Sequence, residues 1–208
     1  ELAARGLPLW VRVGSAVDVF TALRREFAFM HLLSHEETGP LWSYERDKAV
    51  ARWCRGAGVQ WQEFAQTGVV RRLKSRGGWA ARWQRRMEAP LLVTPTGFAG
   101  ARGVDVQDLP TPRQLGVAPQ HRASPPGGEV AAHDTLHSFL HERGANYRKA
   151  LSSPLAAEQG CSRLSAHLAF GTLSMRTLHQ TTEARIAALT ASNDAADKRF
   201  AYHLRGFA

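Results

Sequence analysis

Acidic residues are scarce in this sequence. Across 208 residues, 18 Asp and Glu stand against 27 Lys and Arg, a net charge of +9 with an isoelectric point near 10.5. That balance favours polyanionic partners, whether nucleic acid, a phosphorylated cofactor or an acidic membrane surface, and does not choose among them. Cysteine is nearly absent. Cys54 and Cys161 stand far apart in no CxxC pair, which argues against a disulfide framework and fits reduced thiols in a cytoplasmic protein. Nine histidines occur without a HExxH pattern, so no catalytic metal is expected. No apolar run approaches the roughly 20 residues that span a bilayer, and no signal peptide is visible, so no membrane partner is expected. Tryptophan is absent after Trp83, the last of six.

One local absence is more pointed. In Gly160–Met175, "GCSRLSAHLAFGTLSM", a short apolar helix is expected to open with Ser162, Arg163 and Ser165 and with no Asp or Glu. The first turn of a helix carries unpaired N–H groups and ordinarily attracts carboxylates. Two readings are open: an ordinary helix capped by Ser162, or a turn left free for an anion from outside. Leu164 and Leu168 share a face, Gly171 suits the position past the helix end, and Ser174 suits the start of the next helix. Leu173 and Leu178 then have the spacing of a hydrophobic staple.

Composition changes along the chain. Seven of the ten prolines lie between Pro90 and Pro126, and all six tryptophans lie before Pro90. The spacing predicts a partial α/β domain over 1–93, an interdomain linker over 94–128 and the start of an all-helical domain over 129–208. In the first part, "LPLWVRVG", "FAFMHLLSHEE" and "VQWQEF" read as strands, and "SAVDVFTALRREF" and "SYERDKAVARWCRGAG" as helices. The order β-α-β-α-β describes part of a doubly wound parallel sheet, in which ligands sit beyond the carboxyl ends of strands. In the second part, "GGEVAAHDTLHSFLHERG" predicts a helix with Val130, Leu136, Phe139 and Leu140 on one side and Gly144 as its stop. Phe200, Leu204 and Phe207 repeat at i, i+4 and i+7 up to the end of the chain, so a helical face is expected to run on.

Three further stretches carry candidate chemistry. "SHEETG" sets Glu36 and Glu37 beside His35 in a loop after a strand, as an acid/base pair or as a capped, solvated loop. "VVRRLKSRGGWAARWQRRM" holds Arg71, Arg72, Lys74, Arg76, Arg82, Arg85 and Arg86 and no acid. It reads either as a polyanion-binding surface or as a solvated basic helix anchored by Trp79, Trp83 and Met87. "RGANYRKALSSP" places Tyr147, Arg148 and Lys149 shortly before Ser162, and the two segments together suit an extended phosphate ester.

Taken in order, "SHEETGPLWSYERDKAVARWCR", "GVVRRLKSRGGWAARWQRRM" and "FLHERGANYRKALSSPLAAEQGCSRLSAHLAFGTLSMR" resemble the photolyase/cryptochrome family of flavoproteins. The resemblance covers most of the chain except the proline-rich segment. It implies an α/β domain, often holding an antenna chromophore (a folate or another), followed by the start of a helical FAD-binding domain. By the same resemblance, Tyr147, Cys161, Ser162, Arg163, Leu164 and Ser165 would contact the FAD phosphates and ribityl chain. Cys161 replaces the usual Thr and so lacks its hydroxyl donor.

The activity implied is that of a DNA photolyase, a carbon–carbon lyase in which reduced, light-excited FAD splits cyclobutane pyrimidine dimers in damaged DNA. The protein is expected to act as a cytoplasmic monomer. A cryptochrome photoreceptor without repair activity is the alternative, and a cofactor-free nucleic-acid-binding module is a third possibility. The chain is expected to be a fragment lacking both ends of the family pattern, including the residues around the flavin ring, and to be inactive alone. No catalytic residue is assigned.

Overall fold

The computed structural model describes residues 5–7, 9–94, 96–98, 100, 108–118 and 124–208. Two compact units account for them. The described residues of Glu1–Leu73 and Leu92–Ala123 form the first, and those of Lys74–Leu91 and Ser124–Ala208 the second.

The first unit is α/β. Helix α1 (Ala16–Phe27) starts at Ser15, whose hydroxyl accepts from the Asp18 N–H, and ends at Ala28 in the left-handed conformation. Strand β1 (His31–His35), helix α2 (Leu41–Ala57) and strand β2 (Gln60–Phe64) then make one β-α-β crossover. The strands pair in parallel, His31 opposite Gln60 through His35 opposite Phe64. Period-two alternation turns Leu32 and Trp61 toward the helices, where Val50, Cys54 and Val59 form the buried centre with Val17, Phe20 and Trp53 against it. Gly58 ends α2 at φ 66°, a conformation costly for side-chain-bearing residues, and its N–H donates to the Cys54 carbonyl.

The strand expected at "LPLWVRVG" is not formed. Pro8 lies outside the described residues, and 9–13 carry no strand. Leu9 and Val13 are exposed, and the segment is held instead by Trp10, whose ring lies 4.8 Å from Phe27. Alternation alone supplies no ladder partner, and a strand is defined by its partner.

The second unit is helical: α3 (Trp79–Glu88), α4 (Gly128–His141), a 3₁₀ turn over Arg143–Asn146, then α5 (Tyr147–Ala150), α6 (Pro154–Gly160), α7 (Ser165–Ala169), α8 (Met175–Ala191) and α9 (Ala195–Leu204). Its core is Leu136, Phe139 and Leu140 of α4 with Leu164, Leu173, Leu178, Ile186, Leu189 and Leu204. Ser153, Ser174 and Asp194 cap α6, α8 and α9 through their side chains. The expected face at 200, 204 and 207 packs on this core, with α9 itself ending at Leu204. Val130, expected inside, is exposed in the first turn of α4. Among the described residues no helix is long and apolar enough to cross a membrane.

The compact units do not follow the boundary expected at residue 93. Residues 74–91 group with the helical unit because α3 is bound to α8 by specific contacts. Met87 is fully buried, and the Arg176 side chain donates to the carbonyls of Arg86 and Pro90 at 3.0 and 2.9 Å. Gln180 Nε2 donates to those of Met87 and Ala89 at 2.7 and 2.8 Å. Within the stretch expected as a linker, residues 95, 99, 101–107 and 119–123 lie outside the described residues.

Candidate functional site

The segments carrying Tyr147 and Cys161–Ser165 come together in the helical unit. Tyr147 opens α5 and meets Phe139 and Phe207 edge-on, with ring centroids at 5.6 and 5.7 Å. Burial, and then the neighbouring Cys161 thiol, pushes the phenol above its ordinary pKa, so it stays neutral. Cys161 ends α6 and is a free, half-buried thiol. Leu164 is buried in the core and anchors the turn, while Arg163 and Ser165 are exposed on either side of it.

The cap expected at Ser162 falls two residues later, and α7 begins at Ser165. Leu164 stands at the cap position, no side chain caps α7, and its first turn contains no acid. The delay has a conformational cause. Arg163 adopts φ 62°, which breaks the helical run, and Leu164 follows at φ −92° and ψ −8°. A left-handed residue followed by a right-handed one turns successive N–H groups toward a common point, the geometry of an anion-binding nest. Gly171, with φ 70°, lies just past the α7 end as expected.

Arg143, which the motif reading passed over, lies behind this turn. Its Nη1 donates to the Cys161 carbonyl and, at 3.4 Å, to that of Gln159. Nη2 donates to the carbonyls of Thr135 and Ser162 at 3.0 and 3.2 Å, and Nε to Ser138 Oγ at 3.0 Å. Burial, then the like charge of Arg163, pulls this guanidinium below its ordinary pKa. Among the described residues neither arginine takes part in an ion pair. Two guanidiniums in mutual repulsion, with Glu142 acting on Arg143 only as a smaller influence, favour an anion nearby. The sequence signal was a cation just past a helix end, where it can reach the last carbonyls. Its partners at 159–162 belong to a segment that only folding brings close.

The carboxylates of "SHEETG" separate. Arg71 pairs with Glu36 at 3.6 Å and with Glu63 at 2.8 Å, whereas Glu37 pairs with Arg46 at 3.1 Å. The Gly39 N–H donates to Glu37 Oε1 at 2.6 Å and is the main cause holding that carboxyl below its usual range. Two carboxylates committed to different arginines do not form an acid/base pair. The basic segment is likewise divided: Arg71 serves those ion pairs, Arg72 donates to the Tyr44 hydroxyl at 2.7 Å, and Arg82 and Arg85 are exposed on α3. Of the expected Trp–Met stripe, Met87 is buried, Trp83 is half-buried against His179 and Trp79 is 38% exposed beside Trp83.

These features define an α/β unit followed by a helical region with an electropositive turn, and comparison with known proteins agrees. Residues 1–78 match the family model described as DNA photolyase. A deoxyribodipyrimidine photo-lyase of Halobacterium salinarum is 29% identical, over 86% of this chain and 40% of that protein. The crystal structure of a bacterial class III photolyase from Agrobacterium tumefaciens shares the fold, with a TM-score of 0.69 at 21% identity over 99% of this chain and 45% of that one. The chain thus spans less than half the length of each of these two proteins. Residues 1–78 are thus similar to the DNA photolyase family model, and the fold over nearly the whole chain is that of the Agrobacterium structure.

Proposed function

We propose that the chain contributes the α/β unit and the first part of the flavin site to an FAD-dependent DNA photolyase that repairs cyclobutane pyrimidine dimers. The observation that carries this reading is the turn at Cys161–Ser165, where a left-handed Arg163, an uncapped α7 and two unneutralised guanidiniums meet. Such a turn fits the diphosphate of a dinucleotide: backbone N–H groups and fixed cations supply the charge that two ionised phosphates require. Ser162, Arg163 and Ser165 would hold the phosphates, Leu164 would fix the turn to the core, and Tyr147 would border the chain linking phosphate and flavin. Cys161 offers a weaker donor than a hydroxyl at its position.

When bound and reduced, FAD would lend a light-driven electron that opens the cyclobutane ring and then returns to the flavin, with no net oxidation or reduction. The protein holds cofactor and lesion in line and excludes water. A damaged pair costs less to extrude than an intact one, which favours the lesion over ordinary DNA. An antenna chromophore would belong to the first unit. There Tyr44, Trp61, Lys48 and Arg72, together with the carboxylates Asp47 and Glu63, line a cavity of about 320 Å³, near the lower end of ligand-pocket sizes.

The test uses the whole protein. Its visible spectrum is recorded, and a thymine-dimer oligonucleotide is then illuminated with blue light in its presence. Flavin absorption with dimer loss supports the proposal. Flavin absorption without dimer loss assigns the cryptochrome alternative. A colourless protein whose DNA binding weakens steeply with salt assigns a cofactor-free nucleic-acid-binding module.

A further inference from the structure

We infer that Arg143 is the positioning residue of the diphosphate turn, holding the N–H groups of Ser162 and Arg163 toward the ligand from behind. The inference rests on the flavin reading above and assigns a role to a residue outside its motif. The geometry follows from peptide planarity. In a trans peptide the carbonyl of one residue and the N–H of the next point in opposite directions, and no described peptide bond is cis. Arg143 draws the carbonyls of Cys161 and Ser162 to itself. The N–H groups of Ser162 and Arg163, in those same two peptide planes, therefore face away from the guanidinium. One planar fork sets the direction of two consecutive donors.

The same side chain reaches back to the Thr135 carbonyl and the Ser138 hydroxyl on α4, whose Phe139 and Leu140 lie in the core. The turn is thereby referenced to a rigid element rather than to its own loop. Lysine cannot take over this role, because an ammonium on a flexible stem has no planar fork to span carbonyls on two sides. The positive charge also survives the arrangement, since all five acceptors are neutral oxygens.

The experiment compares the whole protein with Arg143→Lys, which keeps the charge, and Arg143→Met, which removes it. Affinities are measured for FAD, for ADP (a diphosphate without flavin) and for riboflavin (a flavin without phosphate), alongside thermal unfolding and amide hydrogen exchange. Arg143→Lys is expected to weaken FAD and ADP by roughly tenfold or more, the scale of lost hydrogen bonds involving a charged group. It should leave riboflavin affinity unchanged and speed exchange at Cys161–Ser165 alone. Arg143→Met should weaken FAD and ADP further; if it does not fold, the lysine variant decides. Equal loss for riboflavin, or faster exchange throughout the helical unit, reduces Arg143 to a general structural residue and overturns the inference. If the unsubstituted protein binds FAD and ADP and Arg143→Lys binds both equally well, the inference alone fails. If the unsubstituted protein binds neither, the flavin reading fails and this inference with it.

Discussion

A methyl group at Gly144 would lie 2.6 Å from the Phe139 carbonyl oxygen and 2.9 Å from Leu204 Cδ2. This glycine answers to space rather than to dihedral freedom: it sits within the 3₁₀ turn where that turn passes under α9. Gly144→Ala should therefore destabilise the protein by about 1–3 kcal/mol, the usual scale of overpacking, measured as a lower midpoint in urea. A loss within error would show that the turn can shift at no cost. His203 gives a second prediction. It is buried, and its Nδ1 accepts from the Arg148 N–H at 3.3 Å. Burial first, then Lys149, Arg148 and Arg199, lowers its pKa below the ordinary 6.5, and His141 is lowered by burial, then Arg185 and His137. Between those lowered values and 6.5 the unfolded chain binds more protons than the folded one, so stability rises with pH there and is lost as the pH falls. Thermal midpoints should drop on acidification below about pH 6.5, and His203→Gln should flatten that drop. An equally steep drop in the variant would remove His203 from the explanation.

At the level of elements, α3 is the informative case. Ten residues with two tryptophans and three arginines form a helix whose last carbonyls are satisfied by side chains of α8 rather than by a local cap. Gln180→Ala would leave the Met87 and Ala89 carbonyls without that donor and should cost roughly 1–3 kcal/mol. Met87→Ala should cost about 2–5 kcal/mol through the cavity it leaves. Both are read by chemical denaturation, and faster amide exchange should appear first in α3. If Gln180→Ala is neutral, α3 is held by Met87 and by the Arg176 hydrogen bonds.

For the whole molecule the governing quantity is charge. With a net +9, binding to duplex DNA should weaken steeply with salt, because each neutralised phosphate releases counterions. If α3 faces the DNA backbone, Arg82→Gln and Arg85→Gln should each lower the slope of log affinity against log salt by about one. Unchanged slopes would place the DNA elsewhere. The measurement separates the basic helix as a nucleic-acid surface from the same helix as a solvated face.

Much of this architecture was readable from local order. The helices α1, α2, α4 and α8, the strands β1 and β2, and the cap at Ser174 follow from periodicity and capping, which short segments encode. The electropositive character of the Cys161–Ser165 turn was readable too, since an absent acid is a property of composition. Three features depended on distance in space. Arg143 meets residues 159–162 across 16–19 positions of sequence, α3 meets α8 across about 90, and the expected first strand found no ladder partner among the described residues. Local sequence sets which dihedrals are cheap and which face is apolar. Hydrogen bonds between distant segments are decided only when packing brings donor and acceptor within about 3 Å, and those bonds aim this turn outward.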